Sequence, residues 1–173
     1  MAWQIDPAHS LVEFSVTHMM ISKVRGRFND FSGVVELNED EPEKTELEVE
    51  IDVNSIDTRQ PQRDDHLRSA DFFNVSEHPT MKFVGKEVVV KNNKKAKLVG
   101  DLTIKGITKP VTLDVEFNGI SKSPWGSSSA GFSATGKINR KDWDLTWNQV
   151  LETGGVLVSD DIMINIEIEL IKN

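Results

Sequence analysis

Residues 162–170, Ile162-Met163-Ile164-Asn165-Ile166-Glu167-Ile168-Glu169-Leu170, put an apolar side chain at every second position. In a helix these residues would scatter around the axis. In a strand they share one face, so the segment is a strand with one buried and one mostly wet side. The same period recurs upstream, with Val111, Leu113, Val115 and Phe117 set against Thr112, Asp114 and Glu116, and with Leu47, Val49, Ile51 and Val53 set against Glu46, Glu48, Glu50 and Asp52. Less regular versions cover Val12–Val16, Phe31–Leu37, Met81–Phe83, Leu98–Ile104 and Phe132–Ile138, giving about eight strands.

Turn-forming residues separate them, at Asn38–Pro42, Lys91–Lys95, Gly106–Pro110 and Gly119–Gly131, the last with a serine run suited to a hairpin tip. Short connections imply antiparallel neighbours. One segment departs from the period. Pro61–Phe73 offers helix-compatible residues behind an aspartate cap candidate and predicts a short helix. A second helical turn or loop is expected over Leu145–Thr153, stopped by Gly154-Gly155. Eight strands with one apolar face each must pack as a sandwich or close on themselves, and a closed eight-stranded barrel either fills with side chains or holds one small ligand. The fold expected is therefore all-β, one domain over residues 1–173, with a single short helix.

Composition narrows the partners. A formal charge of -8 repels phosphate backbones and anionic lipid surfaces, so nucleic acid and a bilayer surface are poor candidates. With no cysteine, disulfides, thiol nucleophiles and thiolate metal sites are excluded. No apolar run reaches the roughly 20 residues of a spanning helix, and the first residues carry no signal-like pattern, which makes the cytoplasm the expected location. Charge is unevenly spread, with nine acids and one lysine in residues 36–52 but eight lysines and two acids in residues 82–109. Either two wet strand faces carry opposite signs, or the two faces pair across a homodimer.

Catalytic signatures are missing. His9, His18, His66 and His78 form no metal-binding pair, and no nucleophile elbow, dinucleotide turn or phosphate loop occurs. No catalytic residue, metal or cofactor is expected. The inner face is more informative, because Gly33, Gly85, Gly100 and Gly136 share parity with buried apolar neighbours. They mark either the bends that close a barrel or room for a guest. Eight Phe and no Tyr suit an apolar guest.

Specific motifs then accumulate in order. Trp3-Gln4-Ile5-Asp6-Pro7-Ala8-His9-Ser10, Val24-Arg25-Gly26-Arg27-Phe28, Ser55-Ile56-Asp57-Thr58, Arg63-Asp64, His66-Leu67, Asp71-Phe72-Phe73, His78-Pro79, Gly100-Asp101-Leu102-Thr103-Ile104-Lys105-Gly106 and Ile138-Asn139-Arg140 together resemble the YceI-like family, the polyisoprenoid-binding proteins of bacteria. The resemblance spans essentially the whole chain. It implies a lipocalin-like, extended eight-stranded antiparallel barrel whose lumen encloses a long isoprenoid or similar amphiphile, in the carriage or storage of isoprenoid quinones and their precursors. The chain resembles the leaderless members. One departure is Asp144, where relatives often carry Gly.

The ligand-binding residues expected are Phe14, Val16, His18, Phe28 and Phe31 from the first strands, Val49 and Ile51 from the third, and Phe72 at the helix end. Phe83, Gly100, Leu102, Leu113, Val115 and Ile164 complete the inner face. Arg63, Asp64 and His66 are expected to cap the helix and hold it by an ion pair; alternatively Arg63 or Arg140 meets a polar head group. An enzyme acting on an isoprenoid phosphate, with His18 or His66 as base, is the competing reading, and a filled barrel used as a binding platform is a third.

Overall fold

The computed structural model describes residues 2–149, 151 and 157–172. Eleven hydrogen-bonded segments build a single sheet, and they resolve into eight antiparallel strands because the first three strands are each interrupted once. These are β1 (Trp3–Ile5 and Leu11–His18), β2 (Ser22–Phe28 and Phe31–Glu36) and β3 (Glu46–Asp52 and Ile56–Asp57). Then follow β4 (Thr80–Val90), β5 (Lys95–Ile104), β6 (Ile107–Lys122), β7 (Ser128–Asn139) and β8 (Val158–Lys172). Each strand pairs with the next, and β1 pairs with β8 at Gln4↔Ile171 and Ile164↔Phe14, which closes the ring. The eight alternating segments of the sequence correspond one to one with these strands, in a lipocalin-like barrel with one α-helix among the described residues.

The interruptions lie side by side and form a crease across three neighbouring strands. In β1, Pro7 starts a 3-10 turn whose first free amide, that of Ala8, donates to Asp6 Oδ1 at 3.0 Å. In β3, Asp52 does the same for Asn54 at 2.9 Å. Between them the β2 break at Asn29-Asp30 bonds to Ser55, with Asn29 N–H on the Ser55 carbonyl at 3.2 Å and Asp30 N–H on Ser55 Oγ at 3.0 Å. Amides released from the ladder thus find partners in nearby side chains and in one backbone carbonyl.

At the crease His9 Nδ1 lies 2.6 Å from Asp6 and 3.2 Å from Glu169. The hydrogen bond to Asp6 raises the His9 pKa above its ordinary 6.5, and the same bond lowers that of Asp6 below 3.8. A raised imidazole contributes stability that is complete below pH 6.5 and is lost as pH climbs through the raised value, whereas a lowered carboxyl contributes above 3.8 and is lost as pH falls through the lowered value. The clamp is therefore fully present between those limits. Urea midpoints measured across neutral pH are expected to fall on the alkaline side in the native chain and to stay level there in His9→Gln.

The helix, α1, runs Pro61–Arg68, shorter than the segment that suggested it, and its cap is Gln60, whose side chain accepts from Gln62 N–H at 3.2 Å. No aspartate caps it; of the three residues expected to cap and hold it, His66 lies with Nε2 2.8 Å from the Asp71 carboxylate, while Arg63 and Asp64 make no pair with each other. Instead both residues grip Thr58, which is 3% exposed. Arg63 donates from Nε to Thr58 Oγ1 at 2.8 Å and from Nη2 to the Thr58 carbonyl at 2.6 Å, while the Asp64 carboxylate accepts from the Thr58 amide at 3.0 Å and from its hydroxyl. Arg68 adds bonds to the carbonyls of Asn54 and Ile56, so α1 is stapled to the end of β3.

After β7, Arg140–Trp143 form a 3-10 turn ending on Asp144 with φ 59°. This left-handed conformation costs glycine nothing and aspartate little, so Asp144 keeps the loop geometry that a glycine would give. Of the two forms expected for Leu145–Thr153, the described residues 145–149 take the loop and not the helical turn, and Gly154-Gly155 lie outside the described residues. No helix among the described residues is long and apolar enough to cross a membrane. The acidic and basic segments prove to be neighbours in the ring, with Glu48 on β3 2.6 Å from Lys82 on β4.

Candidate ligand-binding lumen

Strand alternation turns one apolar face of every strand inward, and the ring encloses a lumen of about 590 Å³. Its length follows from β8, whose lining residues run from Val158 to Leu170. At about 3.3 Å per residue and a tilt near 40°, they span roughly 30 Å of barrel axis. Cross-strand register stacks the lining into rows: Val49 opposes Phe83, which opposes Leu102, and Phe14 opposes Ile164. Ala96, Val115 and Ala134 form another row of smaller side chains.

The two ends differ. At one, Leu67 of α1, Phe72, Phe73 and Leu145 line the lumen and cover it, with His66 edge-on to Phe72 and Trp147 at 5.1 and 4.7 Å. At the other the lining turns polar, through Asn38, Glu39, Thr45 and Asn92–Lys95. Val90 and Ile120 line the lumen there yet remain 43% and 40% exposed, so this end is the mouth.

Of the residues expected at the site, the structure brings Phe14, Val16, Phe28, Val49, Ile51 and Phe72 to the lumen, together with Phe83, Leu102, Leu113, Val115, Arg140 and Ile164. Four others sit elsewhere. His18 ends its segment of β1 opposite Ser22 and Val158, outside the lining. Phe31 is buried in the core without reaching the lumen. Arg63 is spent on Thr58. Gly100 faces inward, but the Phe83 ring lies over it, and a Cβ there would meet the Val84 carbonyl oxygen at 2.7 Å. Gly33, Gly85 and Gly136 lie in the same way beneath Ile5, Leu47 and Leu113. The inward glycines therefore seat neighbouring side chains and leave the open volume to other positions. Gly100→Leu is accordingly expected to destabilise the fold by about 1–3 kcal/mol, the range for overpacking, against less than about 1 kcal/mol for Thr103→Leu on the outer face; urea denaturation of both checks it.

Arg140 lines the covered end but is only 3% exposed. Its guanidinium donates to the carbonyls of Ser159 at 2.9 Å, Leu145 at 2.5 Å, Trp147 at 2.9 Å and Val158 at 3.3 Å, with the Asp160 carboxylate 3.9 Å away. Burial draws its pKa below the usual arginine range, Asp160 opposing. These bonds tie down the β7–β8 connection and leave little for a head group. Sequence reasoning passed over Leu98, Phe117, Phe132 and Phe73, all in the lining, although parity on the same strands marks the first three. Thr58 and Trp143, whose indole donates to the Leu102 carbonyl at 2.9 Å, carried no local signal.

Asp6, His9 and Glu169 are a group of three that could hold a metal ion, their ligand atoms lying within 4.8 Å of one another on the outer surface. The same atoms are also placed by the His9 Nδ1 hydrogen bond to Asp6 at 2.6 Å, with Glu169 3.2 Å from that nitrogen.

A family model for the YceI-like domain matches residues 3–170. A UPF0312 protein of Staphylococcus aureus strain MSSA476 is 45% identical over 158 residues, which is 91% of this chain and 90% of that protein. Among solved structures, the Campylobacter jejuni YCEI protein superposes with a TM-score of 0.79 at 36% identity, over 91% of this chain and 90% of the other. Burkholderia cenocepacia BcnA gives 0.81 at 23% identity over 98% and 99%. A polyisoprenoid binding domain from Saccharophagus degradans, implicated in plant cell wall breakdown, gives 0.72 at 14% over 97% of each chain. The last two likenesses concern the fold.

Proposed function

This chain belongs to the YceI-like family, and from that premise we propose that it binds one long-chain isoprenoid, or a similarly long apolar lipid, inside the barrel and carries or stores it without altering it. The observation that carries the reading is the lumen itself, apolar along most of its length, with the polar lining gathered at the mouth apart from Glu13 and the internally bonded Arg140. Its volume of about 590 Å³ falls within the 300–1,000 Å³ usual for ligand pockets, which disfavours a barrel filled by its own side chains. Its length of roughly 30 Å matches the whole hydrocarbon core of a bilayer, about twice what an acyl chain of one leaflet covers, and so favours a polyprenyl tail.

The tail lies toward α1 and the polar end rests at the mouth beside Asn92, Asn93 and Lys94. Affinity comes from burying apolar surface at about 25 cal/mol per Å², with little demand on the head group. Neither His18 nor His66 is among the lining residues, so the two bases named for the enzymatic alternative stand outside the lumen. The test is native mass spectrometry and organic extraction of protein purified without detergent. One co-purifying polyprenyl chain per barrel is expected; protein that carries none and takes up none when polyprenols are added would overturn the reading.

A further inference from the structure

We propose that the mouth of the barrel docks on an anionic bilayer, with the β6–β7 hairpin as the element that enters the interface. The last pairing of β5 with β6 is Lys95↔Glu116, and β6 continues to Lys122. The hairpin therefore runs about 20 Å along the strand beyond Lys95, at the base of the neighbouring β4–β5 turn. Its tip is a built turn: Ser123 Oγ accepts from the amides of Trp125 and Ser127, each at 3.2 Å, and Ser123 N–H donates to the Ser127 carbonyl at 2.8 Å. Gly126, at φ 92°, supplies the left-handed position. This turn holds Trp125 90% exposed, whereas Trp3 and Trp143 are buried. An indole fixed in water at the end of a projecting hairpin has the chemistry of the bilayer interface, where its apolar body is buried and its N–H stays wet. Nearer the lumen, Ile120 and Val90 are apolar, exposed and part of the lining.

Charge fits the same surface. Lys91, Lys94 and Lys122 are exposed at the β4–β5 and β6–β7 turns, and none has a carboxylate within 4.0 Å among the described residues. Lysines further along the strands are paired, Lys82 with Glu48, Lys86 with Asp101 and Lys97 with Asp114. The facing acids at this end are Glu39, Asp40, Glu41 and Glu43 on the β2–β3 connection, Glu41 being 2.8 Å from Lys44, and Glu116 across from Lys95. Around the ring the acidic connection comes before the lysine turn and the tryptophan hairpin comes after it. The barrel therefore docks tilted, lysine turn and hairpin down and acidic lip away. The net charge of -8 does not prevent this, because fields are screened over about 10 Å and the tips are what the surface meets.

That docking serves to load or unload a lipid rests on the function proposed above; docking itself does not, and is measured on vesicles without isoprenoid. In co-sedimentation with phosphatidylcholine vesicles, with and without phosphatidylglycerol, the full chain is expected to bind the anionic ones. Lys91→Ala, Lys94→Ala and Lys122→Ala should each weaken binding about fivefold, and Trp125→Ala about tenfold. Brominated lipid should quench the fluorescence of the native chain and not that of Trp125→Phe. Absence of binding to anionic vesicles, binding indifferent to Trp125→Ala, or self-association that Trp125→Ala abolishes would overturn the proposal, the last by making a second copy the occupant. Native protein that carries and takes up no isoprenoid yet still docks would overturn the lipid-binding reading and leave docking standing, whereas a chain that binds isoprenoid but no anionic vesicle would do the reverse.

Discussion

Val115→Asp is expected to weaken binding of a long isoprenoid by at least about a hundredfold, roughly 3 kcal/mol, while the chain still folds. Val115 lines the lumen between Ala96 and Ala134, which offer no hydrogen-bond donor from their side chains. Aspartate is close to valine in size, so the change is electrical rather than steric. Without ligand, water reaches the new carboxylate through the mouth; a lipid filling the lumen strips that water away, and the ionised form pays for it. The sign with pH follows, since the bound state favours the neutral acid and affinity should recover as pH is lowered. Thr112→Asp, on the wet face of the same strand, is the control. Equal affinity in Val115→Asp and the native chain, read by displacement of a fluorescent lipid, would remove the lumen as the binding site.

Loss of the Arg140 guanidinium is expected to be the most damaging single change to the fold. Arg140→Met keeps a side chain that can fill the space but takes the guanidinium donor from the carbonyls of Leu145, Trp147 and Ser159, and leaves that of Val158 with Asn148 Nδ2 at 2.7 Å. Unsatisfied buried acceptors make a loss of about 3–5 kcal/mol the expected result. Arg140→Lys should recover less than half of it, because a single ammonium cannot follow the fork of a guanidinium to four places. Urea denaturation decides: a loss under about 1 kcal/mol would mean that the connection is held by something else. Arg140→Lys, where folded, should bind lipid as the native chain does if Arg140 serves the connection and not the ligand.

The strands were legible because each shows a period of two over enough residues. The segment Ser22–Phe28 was not, since Gly26 breaks its apolar face; the structure shows the Phe14 ring lying over that glycine. Nor could the continuity of β1 across Pro7 be read, because the hydrogen bonds that carry it, such as Asp6 N–H to the Glu169 carbonyl at 2.8 Å, join opposite ends of the sequence. Parity told which way Gly100 faces but not what fills the space before it, which the neighbouring strand decides through Phe83. The cluster at Thr58 escaped for a related reason: Arg63 and Asp64 look like an ion pair in one dimension, and the polar group that both prefer lies upstream in a tight turn that only the fold defines.

Closure of the ring through β1 and β8 also sets an order of events during synthesis. The first strand cannot meet its second partner until Ile164–Ile171 have been made and have left the ribosome. Until then the nascent sheet has two open edges and a half-formed apolar trough, the condition under which strands recruit other chains. Contacts this distant in sequence make closure slow compared with the formation of each hairpin. A lipid already present at that moment could be enclosed as the seam zips shut, so the route by which the barrel first acquires its guest need not be the route by which it later gives it up.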